Sequence, residues 1–123
     1  MSRRRRRVLL LEDDAALRGL LHEALAAEAF EAVALDSFAD LCAAAARHDG
    51  EIVLADFWGG GQRALTETDR REIAELCSLL PVILLTGRSW AAATSAEELG
   101  ACALMRKPFD LEDLIRTVER VLG

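Results

Sequence analysis

The sequence predicts an α/β fold in which a parallel sheet is covered by helices on both faces. Three observations carry that expectation. Short, wholly apolar runs recur at Val8–Leu11, Ile52–Ala55 and Val82–Leu85. Segments with apolar residues at helical spacing lie between them. Each run stops abruptly at polar or turn-forming residues. A continuous apolar run bounded in this way reads as a strand buried on both faces. Alternation of such strands with helices implies parallel neighbours joined by right-handed crossovers.

The elements follow in order. Val8-Leu9-Leu10-Leu11 reads as a strand that ends at Glu12-Asp13-Asp14. Leu17, Leu20, Leu21, Ala24 and Leu25 then form one face of an amphipathic helix over about 14–28, with Asp14 as its cap. Phe30 to Leu35 is a second strand, and Glu31 within it suits a sheet edge. Ser37 caps the next helix, with Asp40 in a near-capping-box position and Phe38, Leu41, Cys42 and Ala45 as the buried stripe. Gly50 closes the turn into the strand Glu51-Ile52-Val53-Leu54-Ala55-Asp56, which runs into Phe57-Trp58-Gly59-Gly60-Gly61.

Ile73, Leu76, Cys77 and Leu80 mark a third helix over roughly 66–79, ended by Pro81. Val82-Ile83-Leu84-Leu85 is a strand that ends at Thr86-Gly87. Residues 90–99 read weakly as a helix, because the segment is rich in alanine and poor in large apolar anchors. Ala101 to Met105 is a fifth strand, leading into Arg106-Lys107-Pro108-Phe109. Asp110 caps a last helix with Leu111, Leu114, Ile115, Val118 and Leu122 on its inner face, and Asp113 supports its amino end.

Composition bounds the function. A chain of 123 residues is one domain, and 52% apolar content makes it globular. A net charge of −6 argues against a general nucleic-acid binder, which needs a basic surface. No apolar run approaches the length of a membrane span, and the first residues lack the apolar core of a signal peptide, so the expected compartment is cytoplasmic and no membrane partner is expected. Cys42, Cys77 and Cys102 are widely spaced and suit small buried apolar roles. His22 and His48 have no companion at ligand spacing. Arg3 to Arg7 reads as a solvated basic leader over residues 1–7, its end merging into the first strand, or else as a basic arm for polyanions. Residues 8–123 form the domain.

The polar residues at the strand ends carry the chemistry. An Asp such as Asp56 after an apolar strand is either a turn former or a reactive group. Ligands of open parallel sheets bind beyond the carboxyl ends of the strands. Glu12, Asp13, Asp56, Thr86 and Lys107 all fall there. Clustered carboxylates repel one another unless a cation is present, and Mg²⁺ takes one or two carboxylates while keeping waters or phosphate oxygens. A carboxylate can then act as a nucleophile toward phosphorus, with charge neutralisation as the main catalytic demand.

These residues resemble the receiver domain of two-component response regulators, from Arg7 to Gly123. The matching motifs are Leu-Leu-Leu-Glu-Asp-Asp at 9–14, Ile-Val-Leu-Ala-Asp at 52–56, Pro-Val-Ile-Leu-Leu-Thr-Gly at 81–87 and Lys-Pro-Phe at 107–109. Their separations match as well: 43 residues from Asp13 to Asp56, 30 from there to Thr86 and 21 from there to Lys107. The resemblance implies a flavodoxin-like doubly wound (βα)5 fold with strand order 2-1-3-4-5. It implies that Asp56 is the phospho-acceptor. Glu12, Asp13, Asp56 and the backbone carbonyl of Trp58 would hold Mg²⁺. Thr86 would hydrogen-bond a phosphoryl oxygen, and Lys107 would pair with the phosphoryl group, with Lys107–Pro108 in the cis form. The implied donor is a sensor histidine kinase or phosphotransfer protein, and the implied output is a downstream protein partner or domain. Such a chain catalyses its own phosphorylation and dephosphorylation and is not a turnover enzyme. Gly123 directly follows the last helix, so the chain is either a stand-alone receiver or one domain of a longer protein.

Some residues depart from the family pattern. Leu104 stands where an aromatic switch residue is common, so the usual switch is absent. Trp58-Gly59-Gly60-Gly61 replaces a loop that usually holds a proline and glycine. Trp58 and Arg88 should flank the phosphoryl group, and the indole of Trp58 should slow attack by water. A phosphohydrolase of the haloacid dehalogenase type would need an acid where Trp58 stands. A flavin or nucleotide binder would need a phosphate loop in place of Glu12-Asp13-Asp14. The remaining rival is a receiver-like interaction module that is weakly phosphorylated or not at all.

Overall fold

The computed structural model describes residues 6–56, 64–87 and 94–123. Strands and helices alternate as β1 (Arg6–Glu12), α1 (Ala15–Ala27), β2 (Phe30–Ala34), α2 (Phe38–Ala46), β3 (Ile52–Asp56), α3 (Glu67–Leu79), β4 (Val82–Thr86), α4 (Ala96–Leu99), β5 (Ala103–Arg106) and α5 (Leu111–Leu122). The five strands form one parallel sheet in the order β2-β1-β3-β4-β5. This is the doubly wound architecture that the strand and helix pattern predicts.

The sheet separates two cores because successive side chains of a strand point to opposite faces. Leu9, Leu11, Val53, Ala55, Val82 and Leu84 pack with Leu41 of α2 and Ile73 and Leu76 of α3. Val8, Leu10, Ile52, Leu54, Ile83 and Leu85 pack with Leu21 and Leu25 of α1 and Leu114 and Val118 of α5. Both faces of the central strands are covered, which explains why their sequences are apolar without alternation. β2 and β5 are the edges. Glu31 sits on β2, as expected of an edge strand, and pairs with Arg7 at 3.5 Å.

Helix starts follow their caps. Asp14 accepts from the Leu17 amide at 3.1 Å, Ser37 from Asp40 at 3.1 Å and Asp110 from Glu112 at 2.8 Å. Thr66 and Asp69 exchange side-chain-to-backbone bonds in a capping box, so Thr66 lies just outside α3.

Several expectations need correction. Leu20 is 51% exposed rather than part of the buried face of α1. It lies about 100° of helical rotation behind Leu21, off the arc centred on Leu21 and Leu25. Helix α4 starts only at Ala96, because Ser95 is extended and caps it by accepting from the Glu98 amide. The expected start at 90–93 lies outside the described residues. Strand β5 starts at Ala103 rather than 101, since the Ala101 amide still closes the end of α4 on the Ala96 carbonyl. Cys102, expected to be buried, is exposed beside that turn, whereas Cys42 and Cys77 are half-buried. Arg6 and Arg7 belong to β1, opposite Phe30 and Glu31, so the end of the arginine run does merge into the first strand, as expected.

Candidate functional site

The site forms where β1 and β3 end together. Glu12 and Asp56 are direct partners across the two strands. Glu12 is in step with Val8 and Leu10, and Asp56 with Ile52 and Leu54, so both belong to the sheet face covered by α1 and α5. Parallel pairing therefore sets two carboxylates side by side at one sheet edge. Glu12 is 2% exposed and Asp56 8%, while Asp13, one residue past the strand, is exposed. Glu12, Asp13 and Asp56 each bring a carboxylate oxygen within 4.8 Å of the others.

Lys107, the residue that follows β5, completes the cluster. Its Nζ donates to Glu12 Oε1 at 2.7 Å and to Asp56 Oδ2 at 2.6 Å. Its backbone N–H donates to the Thr86 carbonyl at 2.7 Å, and the Lys107–Pro108 peptide is cis, as expected. Thr86 is buried at the end of β4, between β3, which ends at Asp56, and β5, which leads into Lys107. Gly87 follows, and a Cβ built there would meet Lys107 Cβ at 3.5 Å. The missing side chain leaves room for the lysine stem to cross the end of β4.

Burial and pairing oppose each other here. Burial pushes the Glu12 carboxyl above its ordinary value, while the Lys107 hydrogen bond and the Asp14 amide partly offset this. Burial disfavours the Lys107 ammonium, but the hydrogen bonds to Asp56 and Glu12 outweigh it and raise its pKa. The lysine is therefore a fixed cation. Glu12, Asp13 and Asp56 together outweigh the positive charge of Lys107, which pairs with two of them, and leave the cluster negative. Hard oxygen donors of this kind suit Mg²⁺, which favours carboxylates and retained water over nitrogen or sulfur ligands.

Sequence reasoning missed Arg18. Its Nη1 donates to the backbone carbonyl of Glu12 at 3.0 Å. With Leu11, Glu12, Asp13, Leu35, Asp36 and Asp56 it lines a pocket of about 370 Å³ at the cluster. Nothing in the linear sequence separates it from the other arginines on helix surfaces. Trp58, its backbone carbonyl and Arg88 lie outside the described residues, as does the glycine run 59–61. Leu104 is half-buried and packs on the core shared with α2 and α3.

The family model described as the response regulator receiver domain matches residues 8–119. The chain is 30% identical over 117 residues to the DNA-binding transcriptional regulator NtrC of Escherichia coli K12, an alignment that covers 94% of this chain and 24% of that protein. It is 31% identical to NtrC of Rhizobium meliloti, with the same coverage. The chain thus spans about a quarter of the length of these relatives. Among solved structures, it resembles the N-terminal domain of the nisin resistance regulator NsrR, with a TM-score of 0.76, 20% identity, and coverage of 98% of this chain and 100% of that one. A CheY-like receiver domain protein of Methanospirillum hungatei superposes with a TM-score of 0.75 at 19% identity, covering 95% and 93%. NtrX of Brucella abortus does so with a TM-score of 0.74 at 26% identity, covering 94% and 27%.

Proposed function

This chain belongs to the response regulator receiver domain family, and on that premise we propose that Asp56 accepts a phosphoryl group with Mg²⁺ bound beside it. The observation that carries this reading is Lys107 Nζ held between Glu12 Oε1 and Asp56 Oδ2 at 2.7 and 2.6 Å, with Asp13 completing the carboxylate cluster.

In this reading a carboxylate oxygen of Asp56 attacks phosphorus. The bond from phosphorus to the donor, a phosphohistidine of a sensor kinase or phosphotransfer protein, breaks as the acyl phosphate forms. The parallel register of β1 and β3 presents Asp56 at the strand end with its carboxylate already oriented, so little ordering remains to be done. Lys107 is fixed as a cation and pairs with the charge on the transferring group. Thr86 is assigned the hydrogen bond to a phosphoryl oxygen. Glu12, Asp13 and Asp56 would hold Mg²⁺, together with the carbonyl of Trp58. Bound Mg²⁺ supplies positive charge that lets a phosphoryl oxygen approach three carboxylates. The acyl phosphate then alters binding of a downstream protein or domain, with Leu104 in place of an aromatic switch.

The test is incubation with Mg²⁺ and acetyl phosphate or phosphoramidate, read by intact mass. The parent should gain one phosphoryl group that is labile to hydroxylamine, and Asp56→Asn should gain none. A parent that stays unlabelled with these donors and with a histidine kinase would point to an interaction module that is not phosphorylated.

A further inference from the structure

Building on the reading that the carboxylate cluster binds Mg²⁺, we infer that Arg18 is a positioning residue that sets the affinity of the Glu12–Asp13 pair for the metal. It does so by holding the last carbonyl of β1.

The need for such a residue follows from the sheet. In a parallel strand, alternate residues aim their backbone groups at the same neighbour. The Leu10 carbonyl accepts from the Leu35 amide at 2.8 Å, on the side of β2. The Glu12 carbonyl, two residues on, aims the same way. Strand β2 has already ended at Ala34 and the chain has turned toward α2. The partner that a longer β2 would offer is missing, and a part-buried carbonyl without a partner is costly. Arg18 Nη1 supplies the hydrogen bond at 3.0 Å.

The same residue closes a ring of bonds around the acidic pair. The Asp14 amide donates to Glu12 Oε2 at 3.2 Å, and the Arg18 amide donates to the Asp14 carbonyl at 2.9 Å. Asp14 Oδ1 accepts from Leu17 at 3.1 Å. The turn between β1 and α1 is thereby tied at its start, its middle and its end. The peptide joining Glu12 to Asp13 is the one that the guanidinium grips. If that peptide turned, the two carboxylates would separate. Arg18 therefore preorganises the metal ligands without touching the metal.

A guanidinium near a cation site has a second, opposing effect, since its charge repels the metal. The two effects differ in sign, and this makes the inference testable. Mg²⁺ binding is measured by isothermal titration calorimetry for the parent, Arg18→Met and Arg18→Lys, with thermal unfolding in the absence of metal as the fold control. Positioning predicts that Arg18→Met binds Mg²⁺ more weakly by about tenfold to a hundredfold, as for other partners that orient metal ligands. Arg18→Lys keeps the charge and one donor, and should recover part of the loss. If Arg18 acted only as a charge, Arg18→Met would bind Mg²⁺ as tightly as the parent or more tightly, and that result would overturn the inference. If Arg18→Met fails to fold, Arg18→Lys decides alone: unchanged affinity overturns the inference and weaker affinity supports it. A parent that binds no Mg²⁺ would remove the functional reading and this inference together, whereas unchanged affinity in the variants removes only the inference.

Discussion

Lys107 donates a 2.6 Å hydrogen bond to Asp56 although the strands leading to them, β5 and β3, are not neighbours. Strand β4 lies between them, and the lysine crosses its end. The carboxylate is thus held by a residue two strands away, at a distance that only a long side chain can span.

Loss of that lysine should expose the repulsion it masks. Lys107→Ala leaves Glu12 and Asp56 buried without their shared cation. The expected cost is about 2–3 kcal/mol of folding stability, less than for a fully buried pair because Lys107 keeps 23% of its side-chain surface. Millimolar Mg²⁺ should restore part of it, since metal binding to the folded state adds stability. Urea unfolding of parent and variant, each with and without Mg²⁺, checks both statements. A penalty that Mg²⁺ left untouched would refute the electrostatic cause.

Gly87 lies beside the path of the lysine. A Cβ at this position would sit 3.5 Å from Lys107 Cβ, an ordinary contact, so Gly87→Ala should be tolerated. Gly87→Leu should push the stem aside and lower the rate of phosphorylation by acetyl phosphate by on the order of tenfold to a hundredfold. Equal rates for the two variants would show that Gly87 does not govern the lysine.

Gly50 is constrained by the core rather than by the site. A Cβ there would meet Leu9 Cγ at 2.7 Å and the Arg7 carbonyl at 3.2 Å. Leu9 is fully buried and Arg7 contributes backbone, so neither yields easily. Gly50→Ala should destabilise the fold by about 1–3 kcal/mol through overpacking, measurable by chemical denaturation, while phosphorylation of the folded fraction stays near that of the parent.

Cys77 gives stability a dependence on alkaline pH. Burial, and then the neighbouring Cys102, push its thiol from 9.0 up to about 11. The folded chain holds this proton more tightly than the unfolded chain. The resulting stability is complete below pH 9 and is lost as pH rises toward 11. The parent should therefore lose stability relative to Cys77→Ala across that interval. Parallel pH profiles for the two proteins would contradict the shift.

The residues that sequence reading located were those at strand ends. An apolar run reports its own end, and in a parallel sheet all carboxyl ends lie on one edge, so Glu12, Asp13, Asp56, Thr86 and Lys107 could be gathered without coordinates. Helix caps at Asp14, Ser37 and Asp110 were legible for a similar reason, since capping depends on residues three or fewer positions apart. Leu20 and Cys102 were misjudged because apolar character says nothing about which arc of a helix, or which turn, a neighbour covers.

The sequence by itself determined the alternation of strands and helices, the parallel sheet and the set of residues at its carboxyl edge, because these rest on local periodicity and on chain order. Only the tertiary structure decided how those residues pair. Register placed Glu12 opposite Asp56, packing left Lys107 room to cross Gly87, and the early end of β2 left the Glu12 carbonyl to Arg18. Each of these joins groups far apart in the chain or on different elements, and such distances are fixed only when the helices close over the sheet.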